Sequence, residues 1–250
     1  MTKMTKSKKD RRAKLVEAAS PSLIKLDLGC GLNPREGFEG VDLYGDKAKH
    51  KVDLFKFPWP FVDNSVDEIA CSHLLEHIPA REVEERDLSG DDKSYLGADM
   101  LFAFMDECWR IMKVGAWMNV VVPSGRSDRA FWDPTHRRFL MQVTFLYFAE
   151  GWRIINGLEH YRVSCNFGAD VGHTQPQEEG LRAPEVQAER LRTLWNVTAD
   201  WIAKMQKQEQ ALHAAEIGGK AAGALGKAPQ KLQNAIGDQI TGADEQPNAA

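Results

Sequence analysis

A short apolar run that stops at a glycine is the feature that most constrains this sequence. Residues 23–28, Leu-Ile-Lys-Leu-Asp-Leu, have the length and composition of one buried strand and end at Gly29. Gly29 and Gly31 flank Cys30. A glycine pair at the end of a strand lets the backbone turn sharply and approach a ligand without a Cβ atom in the way. The pattern predicts a strand leading into a binding turn, with a plain tight turn as the alternative.

Further short apolar runs predict the other strands. They lie at residues 40–43, 52–54, 66–72 and 117–122, and a helix is predicted over 98–113. One apolar face of that helix consists of Leu101, Phe102, Met105, Cys108, Trp109 and Met112, with Gly115 as its stop. Buried strands that alternate with helical or looping connections predict an α/β fold, Rossmann-like, with a doubly wound and mostly parallel sheet.

The C-terminal half has weaker signals. Residues 140–149 are predicted as a helix, 158–167 as a strand, and 184–213 as one long helix with an apolar stripe. From residue 214 to residue 250 the chain has 10 Ala and 6 Gly among 37 residues and no aromatic residue. Such a composition is typical of a disordered tail, because it cannot bury enough apolar area to offset the entropy of ordering.

Charge and cysteine content exclude several classes of protein. The chain of 250 residues carries 32 Lys and Arg against 36 Asp and Glu, a net charge of −4, with a local excess of +5 in residues 1–20. A chain of this balance is not a general nucleic-acid binder, and no apolar run reaches the roughly 20 residues of a membrane span. The N-terminal sequence does not read as a secretory signal. Four widely spaced cysteines predict reduced thiols in a cytoplasmic protein and no structural zinc site.

An acidic residue follows the second predicted strand. Asp42 comes eleven residues after Gly31, where the carboxyl end of a strand faces the ligand crevice of a doubly wound sheet. A carboxylate at this point can accept both hydroxyls of a ribose. A solvated residue at a strand end is the alternative. A nicotinamide-dependent dehydrogenase also uses a glycine turn and an acid here, but the sequence has no Gly-x-Gly-x-x-Gly.

Taken in order, these segments resemble the class I S-adenosylmethionine-dependent methyltransferases, and within them the methyltransferase type 11 group with a shortened first crossover. The resemblance rests on LDLGCG, GVDLY, VDLFKFPWPFVDNSVDEIACSHLLEHI and ECWRIMKVGAW running into MNVVVPSG, and covers about residues 22–125. Two departures are the missing third glycine after Gly31 and Val114-Gly115-Ala116 in place of Pro-Gly-Gly. The resemblance implies S-adenosyl-L-methionine as the cofactor and methylation as the reaction.

The resemblance also implies roles for individual positions. Gly29 and Gly31 correspond to glycines under the methionine moiety, Asp27 to an acid near its amino end, and Asp42 to the ribose-binding carboxylate. Asp53 corresponds to the residue that reads the adenine amino group, with Leu54 beside the ring. The predicted cofactor-binding set is Asp27, Gly29, Cys30, Gly31, Asp42, Leu43, Asp53, Leu54 and Ser72.

Two histidines are the candidate catalytic residues. His136 lies in the stretch Phe131–Phe139, which follows the fifth predicted strand, and a related DPTH stretch occurs in some members of the family. His73 follows the fourth predicted strand, and with His77 it is spaced i, i+4 on a predicted helix. Glu76 and His77 match the family's LEH element, which is usually structural. His-x-x-x-His without a third ligand nearby is a weak metal signal, so no metal site is predicted.

The sequence indicates which methyl acceptors are disfavoured but does not identify the acceptor. The (D/N/S)PP(Y/F/W) stretch of DNA amino methyltransferases is replaced here by CSHLLEH, and Cys71 lacks the proline that precedes the nucleophile of cytosine C5 enzymes. A small molecule or a protein is therefore favoured over DNA, and no membrane partner is expected. Two readings stay open: methyl transfer to an unidentified acceptor, or cofactor binding without turnover in assembly or regulation.

The predicted organisation has four parts. A basic lead covers residues 1–20, the methyltransferase domain 21–182, the long helix 183–216 and the disordered tail 217–250. The region of the long helix, 184–213, offers a surface through which the chain could form a homo-oligomer.

Overall fold

Six strands form one sheet in a computed structural model that describes residues 23–210. The strands are β1 Lys25–Leu28, β2 Glu39–Val41, β3 Val66–Ser72, β4 Met112–Pro123, β5 Phe167–His173 and β6 Asp200–Lys207. Their order across the sheet is β2-β1-β3-β4-β6-β5. The first four strands pair in parallel, and β6 is antiparallel to both β4 and β5. The predicted mostly parallel sheet is confirmed.

The helices are short apart from two. The α-helices are α1 Met100–Ile111, α2 Arg129–Trp132, α3 Glu150–Ile155, α4 Gln177–Gly180 and α5 Pro184–Thr193. The 3₁₀-helices are η1 Leu75–His77, η2 Glu85–Asp87 and η3 Gln142–Phe148. The core contains one continuous cluster of buried apolar side chains from the sheet, α1 and the segments beside it. The strands of a parallel sheet are covered in this way because their side chains are apolar on both faces.

Helix α1 forms where the sequence predicts it. Asp99 accepts a hydrogen bond from the backbone N–H of Leu101 (2.9 Å) and so caps the first turn. The helix ends at Ile111, before the predicted stop. Gly115 instead lies within β4 with φ +80°, where the register between β3 and β4 shifts. A residue in this left-handed conformation interrupts a strand locally without ending it, and glycine adopts it at no steric cost.

The predicted long helix at 184–213 is wrong. Helix α5 ends at Thr193, Asn196 adopts φ +60°, and the chain then returns through the sheet as β6. Residues 201–205 alternate in burial, with Trp201, Ala203 and Met205 inside and Ile202 40% exposed. That alternation has the period of a strand. Since β6 lies between β4 and β5, this part of the chain belongs to the sheet and provides no separate helix for a homo-oligomer.

Two further C-terminal predictions have different outcomes. Residues 158–167 are not a strand, because Asp106 accepts the N–H groups of Ser164 and Cys165 (2.8–3.0 Å), and the strand begins only at Phe167. The helix predicted over residues 140–149 is present as the 3₁₀-helix Gln142–Phe148.

The predicted third strand is absent as well. Asp53 accepts the N–H of Phe55 on its side chain (3.0 Å) and that of Lys56 on its carbonyl (3.1 Å), so a turn over residues 53–56 replaces the predicted strand at 52–54. A single parallel bridge between Val41 and His50 is the only pairing beside β2 on that side within residues 23–210.

Several expectations concern the ends, the cysteines and membranes. The basic lead at 1–20 and the tail at 217–250 lie outside the described residues. All four cysteines are free thiols, and Cys71, Cys108 and Cys165 are buried, as predicted. Between residues 23 and 210, the fold contains no helix with both the length and the apolarity needed to cross a membrane.

Candidate functional site

Three neighbouring strands end together at the carboxyl edge of the sheet. Leu28 of β1 pairs with Val41 of β2 on one side and with Cys71 of β3 on the other. The chain moves from one side of β1 to the other between β2 and β3, which makes this the point where ligands bind in open α/β sheets. The residues that follow the three paired positions are Gly29, Asp42 and Ser72.

The turn after β1 needs its glycines. Gly29 and Gly31 have φ +69° and +57°, in the left-handed region that side chains disfavour. A Cβ atom on Gly29 would lie 3.0 Å from the Leu74 side chain, whereas one on Gly31 would have no heavy atom within 4 Å. The space on the side of Gly31 where a Cβ atom would lie is therefore open at the carboxyl edge.

Asp42 ties this turn to the end of β2. Its Oδ2 accepts the N–H of Gly31 (3.0 Å), and its Oδ1 accepts those of Tyr44 (2.7 Å) and Gly45 (2.9 Å). Burial acts to raise the pKa of this carboxyl, but the three N–H groups outweigh it and the pKa lies below its ordinary value. A carboxylate has about four acceptor positions, so roughly one remains on Oδ2. We call residues 29–31 and 42–45 the glycine edge.

The other predicted cofactor residues lie around the glycine edge. Asp27 is buried and accepts the N–H of Arg35 (2.8 Å), and the Cys30 thiol donates weakly to the carbonyl of Gly31 (3.6 Å). Leu43 is 42% exposed, but Leu54 is 6% exposed and belongs to the core. No hydrogen bond joins Asp53 to the glycine edge within residues 23–210. Whether these residues bind a cofactor stays a prediction.

The segment after β3 is not the predicted helix. His73 adopts φ +53°, and only the single 3₁₀ turn η1 follows before Pro79, so His73 and His77 do not share a helical face. The Nδ1 atom of His73 lies 3.2 Å from Oε1 of Glu76. This hydrogen bond is the main cause of a raised pKa of His73.

A loop after β4 docks on η1. The N–H groups of Arg137 (2.7 Å) and Arg138 (3.1 Å) both donate to the carbonyl of Glu76. The Arg138 guanidinium donates to the carbonyls of Ile78 (3.1 Å) and Pro79 (2.6 Å). These bonds fix the loop against η1 at several points, although the two segments are remote in the sequence.

The docked loop brings three side chains together. One ligand atom each from Glu76, His77 and His136 lie within 4.8 Å of one another, and the two imidazole rings meet edge to face at 4.8 Å between centroids. Glu76 is 2% exposed, and its Oε2 has no hydrogen-bond partner among residues 23–210. A buried carboxylate oxygen without a partner is costly, and groups of this kind mark functional sites. We call these three residues the histidine cluster.

Comparison with solved structures gives distant matches. A SAM-dependent methyltransferase from Archaeoglobus fulgidus is 18% identical with a TM-score of 0.49, over 80% of this chain and 92% of that one. One from Mesorhizobium loti is 15% identical with a TM-score of 0.42, over 78% and 96%. The Haemonchus contortus phosphoethanolamine N-methyltransferase 2, in complex with phosphomonomethylethanolamine and S-adenosylhomocysteine, is 11% identical with a TM-score of 0.42, over 82% and 54%. No protein-family model and no curated protein matches the chain.

At these identities and TM-scores the sheet, and not the matches, carries the assignment of the fold. Four parallel strands and a glycine turn at the carboxyl edge form the predicted arrangement, whereas the reversed strand β6 between β4 and β5 was not predicted. The chain therefore has the predicted Rossmann-like α/β fold with a mostly parallel sheet. The finer resemblance to the type 11 group stays a prediction.

In this fold the histidine cluster is the feature that the sequence analysis missed. It had no reason to join His136 to the LEH element, because a loop and not a periodic element makes the connection. The expectation of no metal site rested on the lack of a third ligand near His73 and His77. The fold leaves His73 out of the cluster and brings His136, from the loop after β4, beside Glu76 and His77. A buried acid next to a histidine in Glu76-His77 was the available signal.

Exposed aromatic rings continue the surface beside the loop. Phe131 and Phe139 stack at 4.4 Å between centroids, and Trp195 lies 5.8 Å from Phe131. All three are about half exposed, at 49–52%. Rings of this kind provide apolar contact area for a ligand or partner next to the polar groups of the loop.

Proposed function

We propose that this chain is an S-adenosylmethionine-dependent methyltransferase whose acceptor is a small molecule or a protein rather than DNA. The observation that carries the proposal is the hydrogen bond from the Gly31 N–H to Asp42 Oδ2 (3.0 Å), at a left-handed glycine with open space over it. It joins the glycine turn to the acid after the second strand. In doubly wound folds these two features flank the nucleoside of a bound cofactor.

The glycine edge fits the proposed cofactor. The open space beside Gly31 leaves room for the methionine portion, and the free acceptor position of Asp42 suits one ribose hydroxyl. Accepting both ribose hydroxyls requires the loop to release the N–H of Tyr44 or Gly45. The partly exposed Leu43, rather than the buried Leu54, is the better candidate to flank an adenine ring.

Positioning is the main task of this protein in the proposed reaction. The bound cofactor supplies a sulfonium methyl group, which is already reactive toward displacement. The chain has to hold the acceptor atom in line with the methyl carbon, about 3–3.5 Å away, and to exclude water. Ser72 and His73 follow β3 at the same edge as Gly29, where they can contact the reacting end of the cofactor.

An acceptor that is protonated at neutral pH also needs a group to take its proton. His136 is our first candidate for this role and His73 the second. The Nδ1 atom of His136 lies 2.7 Å from the carbonyl of Ala130, so Nδ1 carries the proton and Nε2 has a free lone pair. The hydrogen bond between His73 and Glu76 raises the pKa of His73, so more of this ring already carries a proton and cannot accept another.

Calorimetry with S-adenosylhomocysteine, S-adenosylmethionine and NADH tests the cofactor. We expect binding of the first two and none of NADH. Tight NADH binding without S-adenosylhomocysteine binding would contradict the proposal.

A screen of small-molecule and protein acceptors that measures S-adenosylhomocysteine release then tests turnover. Binding without release across the screen would favour the reading in which the protein binds the cofactor and acts in assembly or regulation.

A further inference from the structure

We propose that the histidine cluster, Glu76, His77 and His136, binds one divalent transition-metal ion. Metal binding is independent of the proposed methyl transfer and can be measured without any methyl donor. Three ligands of the right chemistry converge here from two segments that are fixed to each other by backbone hydrogen bonds. Each of them is also prepared for an ion by its own partners.

The tautomer of His77 is set by its neighbours. Oγ1 of Thr135 lies 2.7 Å from Oδ1 of Asp133 and 3.0 Å from Nδ1 of His77. The single hydroxyl proton donates to Asp133, because a carboxylate only accepts, so the hydroxyl oxygen accepts the Nδ1–H of His77. The Nε2 atom of His77 therefore keeps its lone pair. A ligating histidine that donates its other N–H in this way is the usual arrangement in metal sites.

The same logic applies to His136. Its Nδ1 donates to the carbonyl of Ala130 (2.7 Å), which can only accept. The Nε2 atom of this second imidazole therefore also has a lone pair that can bind a metal ion. Two imidazoles that each donate Nδ1–H to an acceptor indicate a metal site more strongly than two histidines that only lie close together, because both rings are held in the tautomer that can bind an ion through Nε2.

Glu76 supplies the charge. Glu76 is only 2% exposed. Its Oε1 is hydrogen-bonded to His73, and its Oε2 has no hydrogen-bond partner among residues 23–210. The guanidinium groups of Arg137 and Arg138 donate to backbone carbonyls and, for Arg138, to Asp99, so neither compensates this oxygen. A bound cation would satisfy it, and a buried carboxylate without such a partner is destabilising.

The ligand set indicates which ions fit. Two imidazole nitrogens and one carboxylate oxygen suit Zn²⁺ and similar first-row ions, whereas Mg²⁺ and Ca²⁺ prefer oxygen ligands alone. Ligands of a tetrahedral Zn²⁺ site are about 3.3 Å apart, given bonds of about 2.0–2.1 Å. The atoms here lie within 4.8 Å of one another, so binding draws the three side chains together. Three ligands also leave a coordination position open for a fourth group.

A short stretch of chain links the histidine cluster to the glycine edge. Leu74, two residues before Glu76, contacts Gly29 of the glycine edge. If the proposed function holds, the ion can bind an acceptor oxygen and lower its pKa, and His136 then acts as a metal ligand rather than as a proton acceptor. A chelator separates the two roles, because only the metal role makes turnover dependent on the ion.

The test is a titration of the full chain with Zn²⁺ and with Co²⁺, after treatment with a chelator and its removal. We expect one equivalent to bind and the Co²⁺ form to absorb in the visible range. His136→Ala removes a ligand and should weaken binding by more than about 10-fold, and Thr135→Val, which removes only the acceptor of His77 Nδ1–H, by about 10-fold. Both changes lie on an exposed loop, where they are tolerated more easily than a change at buried Glu76.

Matched controls keep the result specific. His160→Ala removes an exposed imidazole elsewhere, and His50→Ala removes one that is paired with Glu39, so both variants should bind the ion as the parent does. Failure to bind either ion at one equivalent would overturn the proposal. Unchanged binding in both His136→Ala and Thr135→Val would do the same. Binding of S-adenosylhomocysteine by the metal-free protein tests the proposed function separately.

Discussion

The glycine edge and the histidine cluster are built in opposite ways. The glycine edge consists mostly of backbone groups, and its hydrogen bonds join residues at most twelve positions apart, as between Gly29 and Val41. The histidine cluster consists of side chains, and the bonds that assemble it join Glu76 to Arg137 and Ile78 to Arg138, across about 60 residues. The first region follows from the register of adjacent strands, whereas the second depends on how one loop docks.

This difference predicts that the two regions respond separately to substitution. A change at the glycine edge alters groups that would contact the cofactor, so it should act on donor affinity. A change in the histidine cluster leaves β1 and β2 intact, so it should act on turnover. Substitutions more than about 7–10 Å apart without shared partners are expected to be additive.

The largest expected effect is that of His136→Ala. If His136 contacts the acceptor, takes its proton or holds an ion that does so, turnover should fall by about 10²-fold or more, the usual scale for a positioned base. Affinity for S-adenosylhomocysteine should not change, because no bond of His136 reaches the glycine edge. Steady-state kinetics with an identified acceptor and calorimetry with S-adenosylhomocysteine measure the two quantities, and His160→Ala is the matched control.

Two outcomes would contradict the prediction that the glycine edge and the histidine cluster respond separately to substitution. A large loss of donor affinity in His136→Ala would place this residue on the cofactor side. A lower melting temperature with unchanged activity per folded molecule would make His136 a structural residue of the loop.

Asp42→Ala should have the next largest effect, and it should lower donor affinity rather than turnover. The carboxylate accepts three backbone N–H groups and would accept a ribose hydroxyl. Its loss should weaken S-adenosylhomocysteine binding by about 1–3 kcal/mol, or roughly 5- to 150-fold, the scale of lost hydrogen bonds in a ligand site. Turnover at saturating donor should change little. Asp46→Ala, at an exposed neighbour in the same loop, is the control, and equal losses in both variants would contradict the assigned role.

The sequence predicts three of the strands well. The run at 66–72 coincides with β3, and the runs at 23–28 and 40–43 mark β1 and β2 within two residues. The strand β6 was missed because Trp201 and Met205, four residues apart, satisfy both the helical period and the strand period. Only the burial of Ala203 between them distinguishes the strand period from the helical period, and an alanine is a weak sequence signal for either element.

The same contrast decides how much of the site could be predicted. Gly29, Gly31 and Asp42 follow strand ends directly, so their convergence follows from strand order alone. His136 reaches Glu76 through N–H groups of Arg137 and Arg138, and any two residues could donate such backbone bonds. No side-chain pattern records this docking, so the sequence yields the two halves of the histidine cluster but not their contact.

Gly29→Ala tests the backbone nature of the glycine edge. At φ +69° an alanine costs about 1–2 kcal/mol, and its Cβ would press on the Leu74 side chain at 3.0 Å. We expect the melting temperature to fall by roughly 2–8 °C and donor affinity to fall with it. Gly37→Ala carries the same backbone cost at φ +78° with nothing within 4 Å, so it should lose stability but keep donor affinity. Equal donor affinities in the two variants would show that the turn after β1 does not contact the donor.

The smallest expected effect is that of Thr135→Val, which sharpens the comparison most. Thr135 touches no substrate in our proposal and acts only by accepting the Nδ1–H of His77. Losing one such hydrogen bond costs about 0.5–1.5 kcal/mol, so turnover should fall about 3- to 10-fold with donor affinity unchanged. Thr135→Ser keeps the hydroxyl and should restore the parent rate, because the bonds to Asp133 and His77 need only Oγ. If Thr135→Ser is as slow as Thr135→Val, the methyl group of threonine matters rather than its hydroxyl, and the orientation of His77 is set by packing instead.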